Sequence, residues 1–312
     1  MQMKNNIQSY FNLWLPSPIQ RMNIHPDYNI YFKRDDLIHS VISGNKFRKL
    51  KYILEDLFSS GKNKIIAFGG AYSNLLHSLS LITKFLDIET QFIVRGEDHE
   101  NPTLNFARKN GVELIFWSRE DFKKIREENF IEDFQKQNPQ SYIIPEGASN
   151  LLATYGSSEI YSEVLSQLDF SPDYIIMDLG TGGTFAGVLS KISQSNTKLI
   201  GIPVLKGVNW YKTLAQIIGN ETIIKNENFQ IIEDYHFGGF AKYNNELIDF
   251  INDFKLRFGI DIDPIYTGKL VYGLIDLLKK GFFKKNSSII LVHSGGNQGI
   301  NGFNNAHQNI LL

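Results

Sequence analysis

The segment S-G-N-K-F-R-K-L, residues 43–50, decides how the rest of the chain is interpreted, because it opens a predicted helix. Ser43 stands where an N-cap residue would stand, and Gly44 gives the backbone freedom as it enters the helix. Apolar residues then recur at helical spacing and form one face: Phe47, Leu50, Ile53, Leu54, Leu57 and Phe58. The pattern predicts an amphipathic helix that packs on a core.

The start of this helix is rich in positive charge. Lys46 falls in the first turn, and Arg48, Lys49 and Lys51 follow closely. Cations at the positive end of the helix dipole are disfavoured by a few tenths to about 1 kcal/mol, so such a start favours a bound anion. The same environment helps an ammonium group lose its proton, as a lysine that forms a Schiff base requires. A solvated basic helix face would explain the same pattern.

The composition restricts the class of protein and of partner. The chain has 312 residues, of which 42% are hydrophobic, as expected for one large or two ordinary globular domains. A net charge of −1 gives no reason to expect nucleic acid or a membrane as partner. The lack of cysteine excludes disulfides, thiol catalysis and cysteine-ligated metals. Because no signal peptide or transmembrane stretch is apparent, we expect a soluble cytoplasmic protein.

Strand and helix patterns alternate along the chain after an N-terminal arm at residues 1–32. Short apolar runs predict strands at 28–33, 64–68, 91–94, 112–117, 142–145, 174–179, 199–204, 229–232 and 288–293. Helical patterns separate most of them, including a charged helix at 119–137. Repeated βαβ units indicate an α/β fold in which each domain is an open, mostly parallel sheet flanked by helices. We expect a small domain at 48–155 and a large domain made of 1–47 and 156–312.

Three predicted strands end in glycine-rich turns, at Gly69-Gly70, Gly180–Thr184 and Gly295-Gly296. Ligands bind at the carboxyl ends of strands in such sheets, so these turns are the candidate sites. The second turn would direct several backbone N–H groups, and the Thr184 hydroxyl, at one point, which suits a phosphate. The turn lacks the G-x-G-x-x-G spacing of the dinucleotide-binding fingerprint. It also lacks the Gly-Lys-Ser/Thr sequence of a P-loop. A turn that only lets helix and strand pack closely remains the alternative.

Ser73 and Asn74 follow the first turn at the start of a predicted helix, where backbone N–H groups could bind a carboxylate. A capped helix without a ligand would use the same residue types. The histidines have no spacing typical of a zinc or iron site, so we expect no metal. A lysine at a helix start, a phosphate cradle and a carboxylate pocket together indicate a phosphorylated aldehyde cofactor that holds an amino acid.

Seven motifs carry a resemblance to one family: K-R-D-D-L, S-G-N-K-F-R-K-L, G-G-A-Y-S-N, P-E-G-A-S-N, G-T-G-G-T, D-P-I-Y-T-G-K and H-S-G-G. These motifs occur in the order in which the family has them. By them the chain resembles the fold-type II pyridoxal-phosphate enzymes, specifically the 1-aminocyclopropane-1-carboxylate deaminase / D-cysteine desulfhydrase group. The resemblance spans nearly the whole chain. It implies a two-domain enzyme whose larger domain binds pyridoxal 5'-phosphate, a small amino-acid substrate and a homodimer.

The resemblance also implies a cofactor site, made of Lys46, Lys49, Asn74, Thr181, Gly182, Gly183, Thr184 and Thr267. Lys46 would bind the cofactor's aldehyde covalently, and Asn74 would hydrogen-bond its ring oxygen. Residues 181–184 would hold the phosphate with help from Lys49, and Thr267 would hydrogen-bond the pyridine nitrogen. The implied catalytic residues are Lys46, which moves protons, Ser73, which contacts the substrate carboxylate, and Tyr266, which stands over the reacting carbon.

Three positions depart from the deaminases of this group. Thr267 stands where they have a glutamate, which would favour a protonated pyridine ring and a stronger electron sink. Phe240, in our alignment, replaces a second active-site tyrosine, and Leu75 replaces a polar residue. Opening a cyclopropane ring on a substrate without an α-hydrogen needs extra acid–base help, which the first two positions supply in part. The departures therefore favour a simpler reaction.

The expected reaction is β-elimination from a small D-amino acid such as D-cysteine, giving pyruvate, ammonia and sulfide. The alternatives are the deaminase itself, which would give 2-oxobutyrate and ammonia, another fold-type II activity such as a racemase, and a pyridoxal-phosphate-binding protein with little catalysis. Retention of Lys46, Ser73 and Tyr266 argues against the last. A nicotinamide oxidoreductase is disfavoured because the G-x-G-x-x-G fingerprint of dinucleotide binding is absent.

Overall fold

The chain forms ten strands and twelve α-helices in the residues that a computed structural model describes, 11–42, 44–192, 195–224, 228–308 and 310–312. The strands are β1 (Ile19–Met22), β2 (Asn29–Arg34), β3 (Lys64–Gly70), β4 (Glu89–Arg95), β5 (Glu113–Trp117), β6 (Ser141–Ile144), β7 (Tyr174–Leu179), β8 (Lys198–Pro203), β9 (Phe229–Ile231) and β10 (Ser288–His293). The helices are α1 (Asn45–Ser60), α2 (Asn74–Leu86), α3 (Pro102–Lys109), α4 (Arg119–Lys123), α5 (Phe130–Gln137), α6 (Leu151–Gln167), α7 (Gly183–Ile192), α8 (Trp210–Ile218), α9 (Glu221–Ile224), α10 (Asn245–Phe258), α11 (Thr267–Lys279) and α12 (Gln298–Ala306).

The strands form two sheets. The larger has the order β1-β2-β10-β7-β8-β9 and the smaller the order β5-β4-β3-β6. Neighbouring strands are parallel throughout, except that β1 pairs with β2 in antiparallel register, with Ile19 opposite Lys33. Apolar clusters cover both sheets, and β10 is buried along its whole length. The predicted α/β fold with mostly parallel sheets is therefore confirmed.

The two sheets are built from separate parts of the sequence. All four strands of the smaller sheet lie within residues 64–144, and those of the larger sheet lie within 19–34 and 174–293. The domain boundaries at residues 48 and 155 stay a prediction. No helix in the described part of the chain is both long and apolar enough to cross a membrane.

Helix α1 begins where the sequence predicts, but a glycine sets its start. Ser43 lies outside the described residues, and Gly44 is the N-cap with a positive φ of 65°. A Cβ atom on Gly44 would lie 1.9 Å from the backbone oxygen of Ser294, so only glycine fits here. The next residue, Asn45, donates its N–H to that same oxygen at 3.0 Å. The close approach joins the start of α1 to the end of β10.

A buried charge network holds α1 in place. Arg48 donates to both carboxylate oxygens of Asp35, at 2.6 and 2.7 Å, and to both of Glu163, at 2.9 Å. Lys33 donates to Glu163 and to the backbone oxygen of Ser17, each at 2.6 Å. The Arg48, Lys33 and Asp35 side chains have no exposed surface. Two cations therefore face two carboxylates, and the N-terminal arm, β2, α1 and α6 are tied together.

Helix α6 fits between α1 and α7 because glycines allow close contact. A Cβ atom on Gly156 of α6 would lie 1.8 Å from the backbone oxygen of Arg48. On the other side, a Cβ atom on Gly187 of α7 would lie 2.5 Å from Ser157 Cβ and from the Thr154 oxygen. Helix α6 therefore fixes the spacing of the two helices that carry the lysine and the glycine-rich turn.

The prediction of a single charged helix at residues 119–137 is wrong. The segment forms two short helices, α4 and α5, separated by a 3-10 turn and by Asn129 with a positive φ of 64°. The break lets Phe122, Phe130 and Phe134 turn toward Phe68 of the smaller sheet, with ring centroids 5.4–6.4 Å apart. Tertiary packing therefore overrides the helical pattern here.

Three elements were not predicted: the four-residue helix α9, strand β1 and helix α12. Strand β1 is a short antiparallel edge strand whose residues 20 and 21 are exposed, so it lacks the apolar run of the other strands. Helix α12 has the sequence Q-G-I-N-G-F-N-N-A, which is poor in strong helix formers. The sequence patterns of β1 and α12 therefore gave little sign of a strand or a helix.

Candidate active site

A cavity of about 610 Å³ lies where the carboxyl ends of β3, β7 and β10 meet the starts of α1, α2 and α7. It brings together most of the residues predicted from the sequence, whose side chains or backbones line it: Lys46, Lys49, Ser73, Asn74, Thr181, Gly182, Thr184 and Tyr266. Among the described residues, no three His, Asp or Glu side chains are placed to hold a metal ion. The position at the strand ends is the one expected for a ligand site in an α/β fold.

Lys46 presents an amine that loses its proton easily. Burial lowers its pKa to about 8, although the Asp178 carboxylate nearby raises it. Its Nζ donates to Asn45 Oδ1 at 2.5 Å. A substantial fraction of the amine is therefore neutral near physiological pH, as attack on a carbonyl carbon requires.

The glycine-rich turn after β7 forms an anion cradle. Gly182 has a positive φ of 86°, and the ten-residue helix α7 begins at Gly183, so its first N–H groups have no partner within the helix. Lys49 donates to the Gly147 oxygen at 3.0 Å and to Ser149 Oγ at 3.2 Å. A Cβ atom on Gly183 would lie 2.9 Å from Lys49 Nζ, so a glycine keeps this space open.

Lys49 adds to the cradle an amine whose charged form a phosphate would favour. Burial, and repulsion from Lys46, lower the Lys49 pKa well below its ordinary value. Its two hydrogen-bond acceptors are neutral oxygens, and no carboxylate of a described residue forms an ion pair with it. A phosphate at the start of α7 would supply the missing negative charge. The donors therefore fit the phosphate of pyridoxal phosphate.

Ser73 and Asn74 occupy the start of α2. Ser73 is the N-cap of α2 and accepts a hydrogen bond from the Leu76 N–H at 3.3 Å, as the capping interpretation expects. Ser73 also lines the cavity. Asn74 Oδ1 accepts from the Gln298 side chain of α12. Asn74 lines the cavity, and its amide nitrogen is thus left as a donor.

Tyr266 packs against the turn after β7 and faces Phe240. A Cβ atom on Gly180 would lie 2.8 Å from the Tyr266 ring. Burial raises the Tyr266 pKa, so its hydroxyl stays protonated. The Phe240 ring lies 6.0 Å away at an interplanar angle of 70°, and it also lines the cavity. The tyrosine is therefore paired with a ring that carries no hydroxyl.

The structure does not bring Thr267 to the cavity with the others. Its side chain is fully buried, and its hydroxyl donates to Asp263 Oδ2 at 2.7 Å and accepts from the Asp263 N–H at 2.9 Å. Thr267 is not among the residues that line the cavity, but its partner Asp263 is. The expected bond from Thr267 to the pyridine nitrogen stays a prediction.

The polar residues of the cavity wall that the sequence reasoning did not single out include Asp178, Ser294, Arg95, Arg126 and His307. Asp178 lies near the end of β7, and Ser294 follows β10, the neighbouring strand. Ser294 Oγ donates to Asp178 Oδ1 at 2.7 Å. An acidic residue inside the otherwise apolar run Y-I-I-M-D-L was the available signal. Burial raises the Asp178 pKa.

Comparison with known proteins agrees with this site. The profile of the family "Pyridoxal-phosphate dependent enzyme" matches residues 12–295. A Pyrococcus horikoshii protein, named provisionally as a 1-aminocyclopropane-1-carboxylate deaminase, is 31% identical over 283 residues, which cover 87% of this chain and 85% of that protein. The mitochondrial bifunctional D-cysteine desulfhydrase/1-aminocyclopropane-1-carboxylate deaminase of Arabidopsis thaliana is 27% identical over 310 residues, covering 92% and 77%.

A solved structure extends the agreement to the whole fold. The crystal structure of an ACC deaminase homologue matches with a TM-score of 0.82 and 28% identity, and the match covers 96% of this chain and 95% of that one. The predicted family, its cofactor and the fold-type II architecture are thus confirmed. The chain belongs to the pyridoxal-phosphate dependent enzymes and is a lyase of the 1-aminocyclopropane-1-carboxylate deaminase / D-cysteine desulfhydrase group.

Proposed function

We propose that this enzyme acts on a small D-amino acid with a leaving group on its β-carbon, with D-cysteine as the type substrate. One water is consumed, and the products are pyruvate, ammonia and hydrogen sulfide. The observation that carries the proposal is the pairing of Tyr266 with Phe240, 6.0 Å apart. One phenol is enough to assist a leaving group, whereas ring opening without an α-hydrogen calls for further acid–base groups.

The residues of the cavity would hold the cofactor by its three polar ends. Lys46 would bind its aldehyde, the start of α7 with Lys49 would bind its phosphate, and the Asn74 amide would donate to its ring oxygen. Thr181, Gly182, Gly183 and Thr184 would surround the phosphate. Bound pyridoxal phosphate supplies an electron sink for the pair of electrons left when a bond to the α-carbon breaks.

The chain's own groups would bind the substrate and move its protons. Ser73 and the first N–H groups of α2 suit the substrate carboxylate, because a helix start favours an anion. The neutral amine of Lys46 can accept the α-proton at Nζ. The protonated Tyr266 hydroxyl can donate to the departing sulfur, because burial keeps its pKa high. These three groups give the base, the carboxylate site and the acid that elimination needs.

Two other activities compete with this one. The deaminase activity on 1-aminocyclopropane-1-carboxylate is supported by the names of the relatives. A binding protein with little catalysis would fit the replacements at Phe240 and Leu75, but it does not account for Ser73 and Tyr266 beside Lys46 in one cavity. We also propose a homodimer, as the family resemblance implies, which light scattering of the purified protein would test.

The deciding experiment is an assay of keto-acid release by the purified holoenzyme. D-cysteine, L-cysteine and 1-aminocyclopropane-1-carboxylate are compared, with pyruvate and 2-oxobutyrate separated by chromatography. Pyruvate from D-cysteine with no 2-oxobutyrate supports the proposal, and 2-oxobutyrate from the cyclopropane substrate overturns it. As the matched control, Lys46→Ala should lose both the visible colour of the bound cofactor and all turnover.

A further inference from the structure

Arg95 is a half-buried cation in the cavity wall that the reaction above does not use. It is the last residue of β4 and lies opposite Gly70, the last residue of β3. A Cβ atom on Gly70 would lie 3.8 Å from Nη2 of Arg95, and both residues line the cavity. No carboxylate of a described residue lies within 4.0 Å of the Arg95 guanidinium nitrogens. Arg95 therefore brings a charge to the cavity that no acid of the described chain pairs with directly.

The aromatic cluster of the smaller sheet supports this guanidinium. Its Cζ atom lies 5.8 Å from the ring centroid of Phe122, a distance at which a ring face attracts a cation. Phe122 packs on Phe68 because the segment 119–137 is broken into two helices. The same break forms the 3-10 turn that ends at Arg126, an exposed residue that also lines the cavity. Two arginines thus stand on the side of the cavity formed by the smaller sheet.

Most other charged groups of the wall have partners or proposed roles. Lys46 and Lys49 are assigned to the aldehyde and the phosphate of the cofactor. Asp263 accepts four hydrogen bonds, three from backbone N–H groups and one from a threonine hydroxyl. Asp178 accepts a hydrogen bond from a serine hydroxyl, and burial raises its pKa. The positive charge that remains unassigned is therefore carried by the two arginines.

The charge of Arg95 acts on the group that would protonate the leaving atom. Burial raises the pKa of Tyr266, the charge of Glu146 adds to this rise, and the charge of Arg95 opposes it. Glu146 adjoins Gly147, whose oxygen accepts a hydrogen bond from Lys49 at the phosphate end. A substituent that leaves the β-carbon near Tyr266 would therefore come within reach of the positive charge of Arg95.

We propose that Arg95, with Arg126 as a second and more exposed cation, binds an acidic group on the β-substituent of the substrate. A guanidinium is suited to this task, because it can donate two parallel hydrogen bonds to one carboxylate. The α-carboxylate is already assigned to Ser73 and the start of α2, so the site would hold a second anion. The inference rests on the proposed elimination and extends it to D-amino acids with an acidic β-substituent. D-cysteine is the unsubstituted parent of this class.

The test compares S-carboxymethyl-D-cysteine with S-carbamoylmethyl-D-cysteine, an amide of nearly the same shape without the second charge. Elimination from the acid breaks the Cβ–S bond with the electron pair left on sulfur. It consumes one water and gives pyruvate, ammonia and mercaptoacetate.

The dissociation constant of each compound is read from the rapid change in absorbance of the cofactor bound to the holoenzyme, so the readout does not depend on turnover. The wild type should bind the acid about tenfold or more tightly than the amide. Equal binding of the two would overturn the proposal, and this measurement needs no variant to fold.

Variants then test the residue. Arg95→Met should reduce the preference for the acid by about tenfold or more, and Arg95→Lys, which keeps the charge but not the paired donors, should reduce it less. Arg126→Met should have a smaller effect in the same direction. Arg119→Met, which alters an exposed arginine of the same segment outside the cavity, is the matched control and should leave the preference unchanged. If Arg95→Met weakens acid and amide equally, Arg95 acts on the α-carboxylate that both share, and the inference is overturned.

The keto-acid assay separates the two ways in which this account can fail. Pyruvate released from D-cysteine, without a preference for the acid in binding, would leave the proposed function intact and overturn only the inference. No pyruvate from D-cysteine or from either thioether would refute the proposed elimination, whatever the binding preference is.

Discussion

At the scale of single residues, the site depends on an amine that has lost its proton. Burial lowers the Lys46 pKa from 10.5 to about 8. Because the ammonium form below that pH cannot attack an aldehyde, the rate of pyridoxal-phosphate attachment should rise with pH and level off above a midpoint near 8. Stopped-flow absorbance on the apoenzyme measures this rate. The midpoint should fall further in Asp178→Asn, which removes a stabilising charge, and a midpoint near 10.5 in the wild type would contradict the prediction.

A second residue-scale prediction concerns Phe240. The Phe240→Tyr variant adds a hydroxyl beside Tyr266, so turnover of 1-aminocyclopropane-1-carboxylate should increase relative to turnover of D-cysteine. The ratio of kcat/KM for the two substrates measures the change. Phe282→Tyr, which adds a hydroxyl at a half-exposed phenylalanine outside the cavity, is the matched control. An unchanged ratio in Phe240→Tyr would show that the missing phenol does not set the choice of reaction.

Single site residues could be predicted where a motif marks them. Lys46, Ser73 and Tyr266 line one cavity, as the motifs led us to expect, although their roles stay predictions. Asp178 could not be identified, because its importance depends on β10 lying beside β7, and these strands are far apart in the sequence. The role of Thr267 stays a prediction, because the motif fixes its position but not the partner of its hydroxyl, which is Asp263 here.

At the scale of elements, the position of α1 depends on its buried ion pairs. Arg48→Met would leave the Asp35 carboxylate buried without its cation, so the free energy of unfolding should fall by about 3–5 kcal/mol. Urea denaturation of the apoprotein measures it. Arg257→Met, which breaks an exposed pair with Asp253 on α10, should change stability little. Similar effects from the two variants would mean that the buried network does not anchor α1.

The contact between α6 and α1 gives a further test. Gly156→Ala would place a methyl group 1.8 Å from the Arg48 oxygen, so the helices must separate. We expect a loss of about 1–3 kcal/mol or more in stability, together with weaker cofactor binding, because α1 carries Lys46. Gly299→Ala, in α12 with open space around it, is the control for stability and should cost nothing. Wild-type stability in Gly156→Ala would refute the close contact.

The bounds of strands and helices could be predicted where the apolar residues follow a clear pattern. Strands 174–179 and 288–293 have the predicted bounds, because their apolar patterns are strong. The helix at 119–137 was predicted in one piece because its charge pattern is helical throughout. Its break depends on the aromatic cluster around Phe68, which comes from another part of the chain. Periodicity within a segment cannot report such a contact.

At the scale of the whole molecule, the cofactor should bind the two sheets together. The cavity takes lining residues from the ends of β3 in the smaller sheet and of β7 and β10 in the larger. Ligand linkage predicts about 2.7 kcal/mol of stabilisation when free pyridoxal phosphate is at 100 times its Kd. Calorimetry of the apoenzyme with and without cofactor measures the rise in Tm. Pyridoxal without phosphate should give a smaller rise, and an equal rise would exclude the cradle at α7 as a phosphate site.

The buried network around Arg48 also bears on how the chain folds as it leaves the ribosome. Arg48 and Lys33 are synthesised 115 and 130 residues before Glu163. Until that carboxylate emerges, Asp35 is the sole acid of the network, and one buried cation would have no counter-charge. We therefore expect nascent chains that end before α6 to remain sensitive to protease. The segments that carry Lys33 and Arg48 should become resistant to protease only after α6 has been synthesised.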